Sequence, residues 1–321
     1  MTTLLARLLD GERLGESEAA ELFALLAATG APPALEEAVT AAAALAALRL
    51  RGECAAEVRG LALAMRAAAR KPAIPAGIGA LDIVGTGGDG SGSFNLSTGA
   101  ALVAAAAGVP VVKHGNRAAS SRSGSADLLE ALGLPLPLDE QAAGRCLEAC
   151  GFTFLFAPHY HPALAALAPV RRALGVRTVF NLLGPLANPA APPFGVIGAA
   201  SPGAALILAE TLAGLPIERA YVVHGAPGWD EPTPVGPFLL FEVTPGSVRR
   251  GVRDPIDAGL PRCRPEELLG GDAATNARRL EAVFSGERGA HRDALLLGAG
   301  LGLTVAGRAP TLAAGIEAAA A

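Results

Sequence analysis

Leu81-Asp82-Ile83-Val84-Gly85-Thr86-Gly87-Gly88-Asp89-Gly90-Ser91-Gly92-Ser93-Phe94-Asn95-Leu96-Ser97-Thr98 is the stretch that decides the fold of this chain. An apolar run ends at Val84, a glycine-dense loop follows, and from Thr98 to Ala107 the pattern is helical. Strand, loop and helix in that order open a parallel α/β unit. Glycines at 85, 87, 88, 90 and 92 let backbone N–H groups close around an anion, and the N-terminus of the next helix adds partial positive charge. The loop is therefore expected to cradle phosphate. The spacing of Gly85, Gly87 and Gly90 also satisfies the dinucleotide fingerprint. That fingerprint requires an acidic residue at the end of the next strand, and here the strand is read as ending at Lys113. No Lys-Ser/Thr pair closes the glycine run, so it is not a Walker A loop either.

Further short apolar strands are expected at Val109 to Val112, Phe152 to Phe156, Val196 to Ile197 and Ala220 to Val223. Helices are expected between them at 98–107, 125–132, 139–150 and 203–213. The alternation predicts an α/β domain over 73–321 with a mainly parallel sheet, whose ligands bind beyond the carboxyl ends of the strands. The loops after Val84, Val112 and Val223 are the places to search. Residues 1–72 carry only helical periodicity, broken at Gly30, Pro32, Pro33 and Gly52, and form a small helical domain. Its Ala-rich helices are expected to bury their apolar stripes against the rest of the chain or a second copy, and the 162–175 segment is expected to pack on this domain.

The 321 residues are 51% apolar and 17% charged, the composition of a well-buried globular chain. A net charge of −4 gives no global field for nucleic acid or an anionic membrane, so an anion site must be local. The longest apolar run, Gly99 to Val112, contains Gly108 and Pro110 and is too short to span a bilayer. No secretory signal is legible at the N-terminus, and a cytoplasmic location is expected. Cys54, Cys146, Cys150 and Cys263 are scattered and read as inert buried thiols.

The loop after the second strand reads Lys113-His114-Gly115-Asn116-Arg117-Ala118-Ala119-Ser120-Ser121-Arg122-Ser123-Gly124-Ser125, a dense set of donors for phosphate and sugar oxygens. The loop after Val223 is His224-Gly225-Ala226-Pro227-Gly228-Trp229-Asp230-Glu231. Adjacent carboxylates facing a phosphate site would repel the ligand unless a divalent cation lay between, so the pair reads as a Mg²⁺ anchor. A further segment, His159-Tyr160-His161-Pro162, leads into Val170-Arg171-Arg172-Ala173-Leu174-Gly175, where an Arg could grip a carboxylate bidentately. His159 and His161 read as structural rather than as catalytic bases.

Asp82 to Gly90, Asn95 to Thr98, Lys113 to Arg117, Ser120 to Asp127, Arg177 to Pro189, and His224-Gly225 with Asp230-Glu231 closely resemble the signature stretches of the anthranilate phosphoribosyltransferase family. The likeness runs in order from about residue 4 to the C-terminus. It implies a helical N-terminal domain used for homodimerisation and a nucleoside-phosphorylase-like α/β domain. It also implies transfer of the phosphoribosyl group of phosphoribosyl pyrophosphate (PRPP) to anthranilate in tryptophan biosynthesis. By the resemblance, PRPP would be held by Gly85, Gly88, Asp89, Ser93, Asn95, Ser97, Thr98, the run Lys113, His114, Gly115, Asn116, Arg117, Ala118, Ala119, Ser120 and Ser121, and Ser125. Anthranilate would meet Gly85, Asn116 and Arg171. Mg²⁺ would take Ser97, Asp230 and Glu231, while Lys113, Asp230 and Glu231 act electrostatically without an acid/base residue.

Three positions depart from the family pattern: Pro232 follows the acidic pair, Arg122 stands where Lys is common, and Trp229 replaces a smaller apolar residue. Pro232 is expected to be able to re-aim the metal loop. Two rivals share features of this reading. A pyrimidine nucleoside phosphorylase would need one phosphate and no acidic pair, and a non-enzymatic nucleic-acid-binding paralogue would need more than Tyr160, Tyr221 and Trp229 as a stacking platform.

Overall fold

The computed structural model describes residues 2–30, 32–75, 77–118 and 122–321. Four helices come first: α1 (Thr2–Leu9), α2 (Glu16–Ala27), α3 (Leu35–Arg51) and α4 (Ala55–Ala67). The starts of α2, α3 and α4 share one local device, a Glu at the third helical position that accepts the backbone N–H of the residue before the helix. The pairs are Glu18 with Gly15 (2.8 Å), Glu37 with Ala34 (2.9 Å) and Glu57 with Cys54 (3.0 Å). Glu57 is fully buried. It also accepts the N–H of Leu14 at 2.8 Å and pairs with Arg51, so one carboxylate ties the α1–α2 link to the α3–α4 turn.

The sheet domain follows with β1 (Leu81–Gly85), α5 (Leu96–Ala106), β2 (Val111–Gly115), α6 (Ser125–Ala131), α7 (Glu140–Cys150), β3 (Phe152–Phe156), α8 (Ala157–Tyr160), α9 (Leu167–Leu174), α10 (Val179–Leu183), β4 (Phe194–Gly198), α11 (Pro202–Ala213) and β5 (Arg219–His224). Two strands, β6 (Phe238–Thr244) and β7 (Ser247–Arg253), and three helices, α12 (Ala273–Phe284), α13 (Ala290–Val305) and α14 (Leu312–Ala320), complete it. The order across the seven-stranded sheet is β3-β2-β1-β4-β5-β6-β7. The first five strands pair in parallel and the last two antiparallel.

The expected class, a helical unit joined to an α/β domain with a mainly parallel sheet, is the architecture observed. The β6–β7 hairpin was not among the expected strands. Phe238 to Thr244 and Ser247 to Arg253 are joined across Pro245-Gly246, with Thr244 opposite Ser247, so the turn signal was present. Lys113, expected at the start of a loop, instead lies inside β2. Pairing with β3 carries that strand on to Gly115, in register Lys113 with Phe154 and Gly115 with Phe156.

Alternation along the strands divides the core into two faces. Ile197, Ala220 and Val222 join one cluster with α11 and the helical unit, in which Leu167 and Val170 of α9 also sit. Leu81, Ile83, Val196 and Val223 face the other way, against α5, α13 and α14. Strand order reverses between β1 and β4, and at that switch point the loops after β1, β2 and β5 converge at the carboxyl ends.

The helical unit depends on close approach of α2 and α4 at Gly60. A Cβ there would run into the carbonyl oxygen of Glu16 and come within 2.9 Å of Ala19 Cβ. Gly60→Ala is expected to lower unfolding stability by about 1–3 kcal/mol through overpacking. Chemical denaturation checks this, and a variant as stable as the parent would contradict the packing.

Candidate active site

Three glycines make room for the acidic loop. A Cβ on Gly85 would strike the Asp230 carboxylate, one on Gly198 the Asp230 carbonyl, and one on Gly225 the Glu231 carbonyl. The loop folds back on itself through Gly225 and Trp229, whose backbones exchange hydrogen bonds at 2.8 and 3.1 Å. Trp229 is buried with Phe94, Leu268, Leu280 and Leu295, so this bulky residue anchors the loop. Pro232 does not turn Glu231 away.

The acidic pair is held from two sides. Asp230 Oδ2 accepts the Gly87 N–H at 2.5 Å and lies 3.5 Å from Thr86 Oγ1, and its own N–H donates to Asp89 Oδ2 at 3.1 Å. Glu231 Oε1 accepts the Ser97 N–H at 3.0 Å in the first turn of α5, and Oε2 accepts from Ser93 Oγ at 3.0 Å. Burial and the neighbouring carboxylates push both groups well above the ordinary carboxylate range: Asp89 acts on Asp230, and Asp230 on Glu231. Lys113 is the buried cation of this neighbourhood, 1% exposed, with Nζ donating to the Ile83 carbonyl and to Ser97 Oγ at 3.4 Å. Desolvation lowers its pKa, while Asp82, Glu231 and Asp230 oppose that shift. Beneath it Asp82, raised to about 6 by burial, accepts from Asn188 Nδ2 at 2.8 Å.

Two clefts open above these groups. The first, about 520 Å³, runs along the glycine loop from Gly85 to Ser93 and on to Asn95, Ser97, Lys113 to Ala118, Ser125 and the acidic pair. The second, about 350 Å³, lies between the sheet and the helical side, lined by Met65, Ala157, His161, Ala168, Arg171 and Phe180. They share Val84 to Thr86 and His114 to Asn116 as a common wall. Arg171 is half-buried with its guanidinium 4.9 Å above the Phe180 ring, and desolvation alone lowers its pKa. Arg172, its neighbour, is exposed.

The residues expected to bind ligand behave differently from one another. Gly85, Gly88, Asn116 and Ala118 line the first cleft by their backbone or tips. Thr98 Oγ1 donates to Ser125 Oγ at 2.9 Å, placing both hydroxyls together. Asp89 is turned to Ser91 and Asp230 and organises the loop. Asn95 links the Ser123 carbonyl (3.1 Å) to Asn276 (2.8 Å). Arg117 lines the first cleft with its guanidinium paired to Asp127 at 3.2 Å and to Glu130. His114, pushed down to about 3 by burial, is a neutral imidazole packed edge-on to His161, which burial lowers to about 4. Ala119, Ser120 and Ser121 lie outside the described residues. The cysteines are not the fully buried thiols expected: Cys150 is exposed and the other three are half-buried, Cys146 packing at the edge of the cluster of Ala143, Leu147 and Tyr160. Sequence reading gave no role to Asn276 or Met65, which are remote in the chain and carry no local signature, nor to Phe180, although it lies within the Arg177 to Pro189 stretch.

Residues 78–321 match the glycosyl transferase family a/b domain and residues 2–69 the glycosyl transferase family helical bundle domain. The anthranilate phosphoribosyltransferase of Rubrobacter xylanophilus is 49% identical over 308 residues, covering 96% of this chain and 88% of that protein. The chain belongs to the anthranilate phosphoribosyltransferase family. The family's crystal structure from Thermus thermophilus superposes with a TM-score of 0.91 at 47% identity, covering 99% of this chain and 93% of that one. The Saccharomyces cerevisiae member, solved with PRPP and Mg, gives a TM-score of 0.89 at 26% identity, covering 99% of this chain and 92% of that one.

The tight seat of the acidic loop has a direct consequence. Gly198→Ala should displace the Asp230 backbone, lower stability by about 1–3 kcal/mol and weaken PRPP binding. Calorimetric titration with PRPP and Mg²⁺ measures the second effect, and unchanged affinity would contradict the described geometry.

Proposed function

We propose that this chain transfers the phosphoribosyl group of PRPP to the amine of anthranilate, releasing pyrophosphate, as the phosphoribosyl step of tryptophan biosynthesis. The observation that carries this reading is the shared wall of the two clefts. A donor along the glycine loop and an acceptor against Arg171 would meet at Gly85, His114, Gly115 and Asn116.

The glycine loop and the α5 N-terminus supply N–H donors for phosphate oxygens, and buried Lys113 places positive charge below them. Arg171 grips the acceptor carboxylate while Phe180 and Met65 give the ring an apolar wall. The acceptor amine is neutral at pH 7, so its lone pair attacks ribose C1 as the bond to pyrophosphate breaks, and the amine proton then leaves to solvent. His114 and His161 are too acidic as imidazolium ions to serve as bases near neutrality, so the reaction rests on orientation and charge.

The donor set fits a divalent cation: two buried, adjacent carboxylates with raised pKa and a hydroxyl oxygen at Ser97 face a cleft built for anions. Asp230, Glu231 and Ser97 are the residues that would hold Mg²⁺, which when bound offsets their charge and that of the pyrophosphate. The same chain is read as a cytoplasmic homodimer joined through its helical unit. Leu9 on α1 and Leu35, Val39 and Leu50 on α3 are 64%, 81%, 59% and 92% exposed, an apolar set suited to a second copy.

Arg171→Ala is expected to raise KM for anthranilate by roughly 10- to 150-fold, the range set by loss of a hydrogen bond to a charged group, with a much smaller change in KM for PRPP. Initial-rate measurements against each substrate check this, and an unchanged anthranilate KM would overturn the assignment. For the dimer, light scattering on Leu50→Glu should report a monomer where the parent chain reports twice that mass.

A further inference from the structure

Arg177 lines neither cleft, yet it touches the glycine loop that walls the first. Its Nη1 donates to the Gly88 carbonyl at 2.9 Å. Gly88 has a positive φ of 70°, and a Cβ there would lie 3.1 Å from the same Nη1, so the guanidinium is packed against the bare face of the glycine loop. The residue before it is fastened to the acidic pair, the Gly87 N–H donating to Asp230 Oδ2 at 2.5 Å. The loop that would hold pyrophosphate is thus pinned between the acidic pair and Arg177.

Arg177 also belongs to the acceptor side. In the chain it lies between Arg171 and Phe180, whose cation and ring stack at 4.9 Å in the lining of the second cleft. The Gly175 N–H donates to the Arg171 carbonyl at 3.3 Å, closing α9 one turn after Arg171, and the Thr178 N–H donates to Asn181 Oδ1 at 3.0 Å, opening α10. Only Val176 and Arg177 connect these two fixed points. A carboxylate drawing on Arg171 therefore acts on a short, doubly anchored segment whose Arg177 side chain is tied to Gly88.

We propose that Arg177 is a positioning residue that couples the two sites, so that an occupied acceptor cleft tightens the glycine loop around the donor. This rests on the assignment of the two clefts to PRPP and anthranilate. Reciprocity requires that PRPP tighten the acceptor site by the same factor.

The test is calorimetric titration of PRPP with Mg²⁺, with and without saturating benzoate, which has the acceptor's ring and carboxylate but no amine and so allows no turnover. The parent chain should bind PRPP about fivefold or more tightly with benzoate present, at the lower end of usual coupling factors. Arg177→Ala should bind PRPP more weakly and show a ratio near one. Arg177→Met keeps the stem without a donor and should show the same loss if the alanine variant folds poorly. Arg177→Lys, which can still donate to the Gly88 carbonyl, should recover part of the ratio. A parental ratio in the Met or Ala variant, or no coupling in the parent chain despite PRPP binding, overturns the proposal. A parent chain that neither binds PRPP with Mg²⁺ nor makes product would instead remove the site assignment, and the coupling with it.

Discussion

Asp230 and Glu231 are buried side by side, each gripped by a backbone N–H that a phosphate would otherwise use. Gly87 donates to the first and Ser97 to the second. Two carboxylates in that position are costly without compensation, and burial raises both pKa values accordingly. The rest of the site is arranged around that strain. Glycines at 85, 198 and 225 let the acidic loop settle on the strand ends, Trp229 locks it into an apolar cluster, and Lys113 sets a buried cation against the Ile83 carbonyl and Ser97 Oγ.

Topology explains how distant parts of the chain meet there. Because strand order reverses at β1 and β4, the loops after β1, β2 and β5 open at one edge of the sheet, and the helical unit with α9 and α10 closes the other side. One cleft is polar and glycine-walled, the other apolar with a single half-buried Arg. The separation matches two substrates of different chemistry, a polyanion and an aromatic acid, sharing one wall where reaction can occur.

Much of this was legible in the sequence where signals are local. The strand, loop and helix from Leu81 onward, the donor run after the second strand and the Asp-Glu pair all lie in contiguous stretches, and the structure brings them together. What escaped reading depends on partners remote in the chain. Strand β2 runs to Gly115 because β3 is available to pair with it, which takes Lys113 out of the loop and into the core. Arg117, read from the sequence as a phosphate ligand, lines the cleft but is also paired with Asp127 and Glu130 on the next helix. Asn276 holds Asn95 from 181 residues away, a link that no spacing rule reveals. The β6–β7 hairpin is the exception, since Pro245-Gly246 between two β-rich runs was a readable turn.

The central claim is that the acidic pair makes donor binding depend on a divalent cation. The most direct measurement is PRPP affinity by calorimetry as Mg²⁺ is removed, in the parent chain and in Asp230→Asn with Glu231→Gln. The account predicts that the parent chain loses PRPP when the cation is stripped, while the amide variant is nearly indifferent to it because the repelling charges are gone. Equal affinity of the parent chain with and without the cation would contradict it.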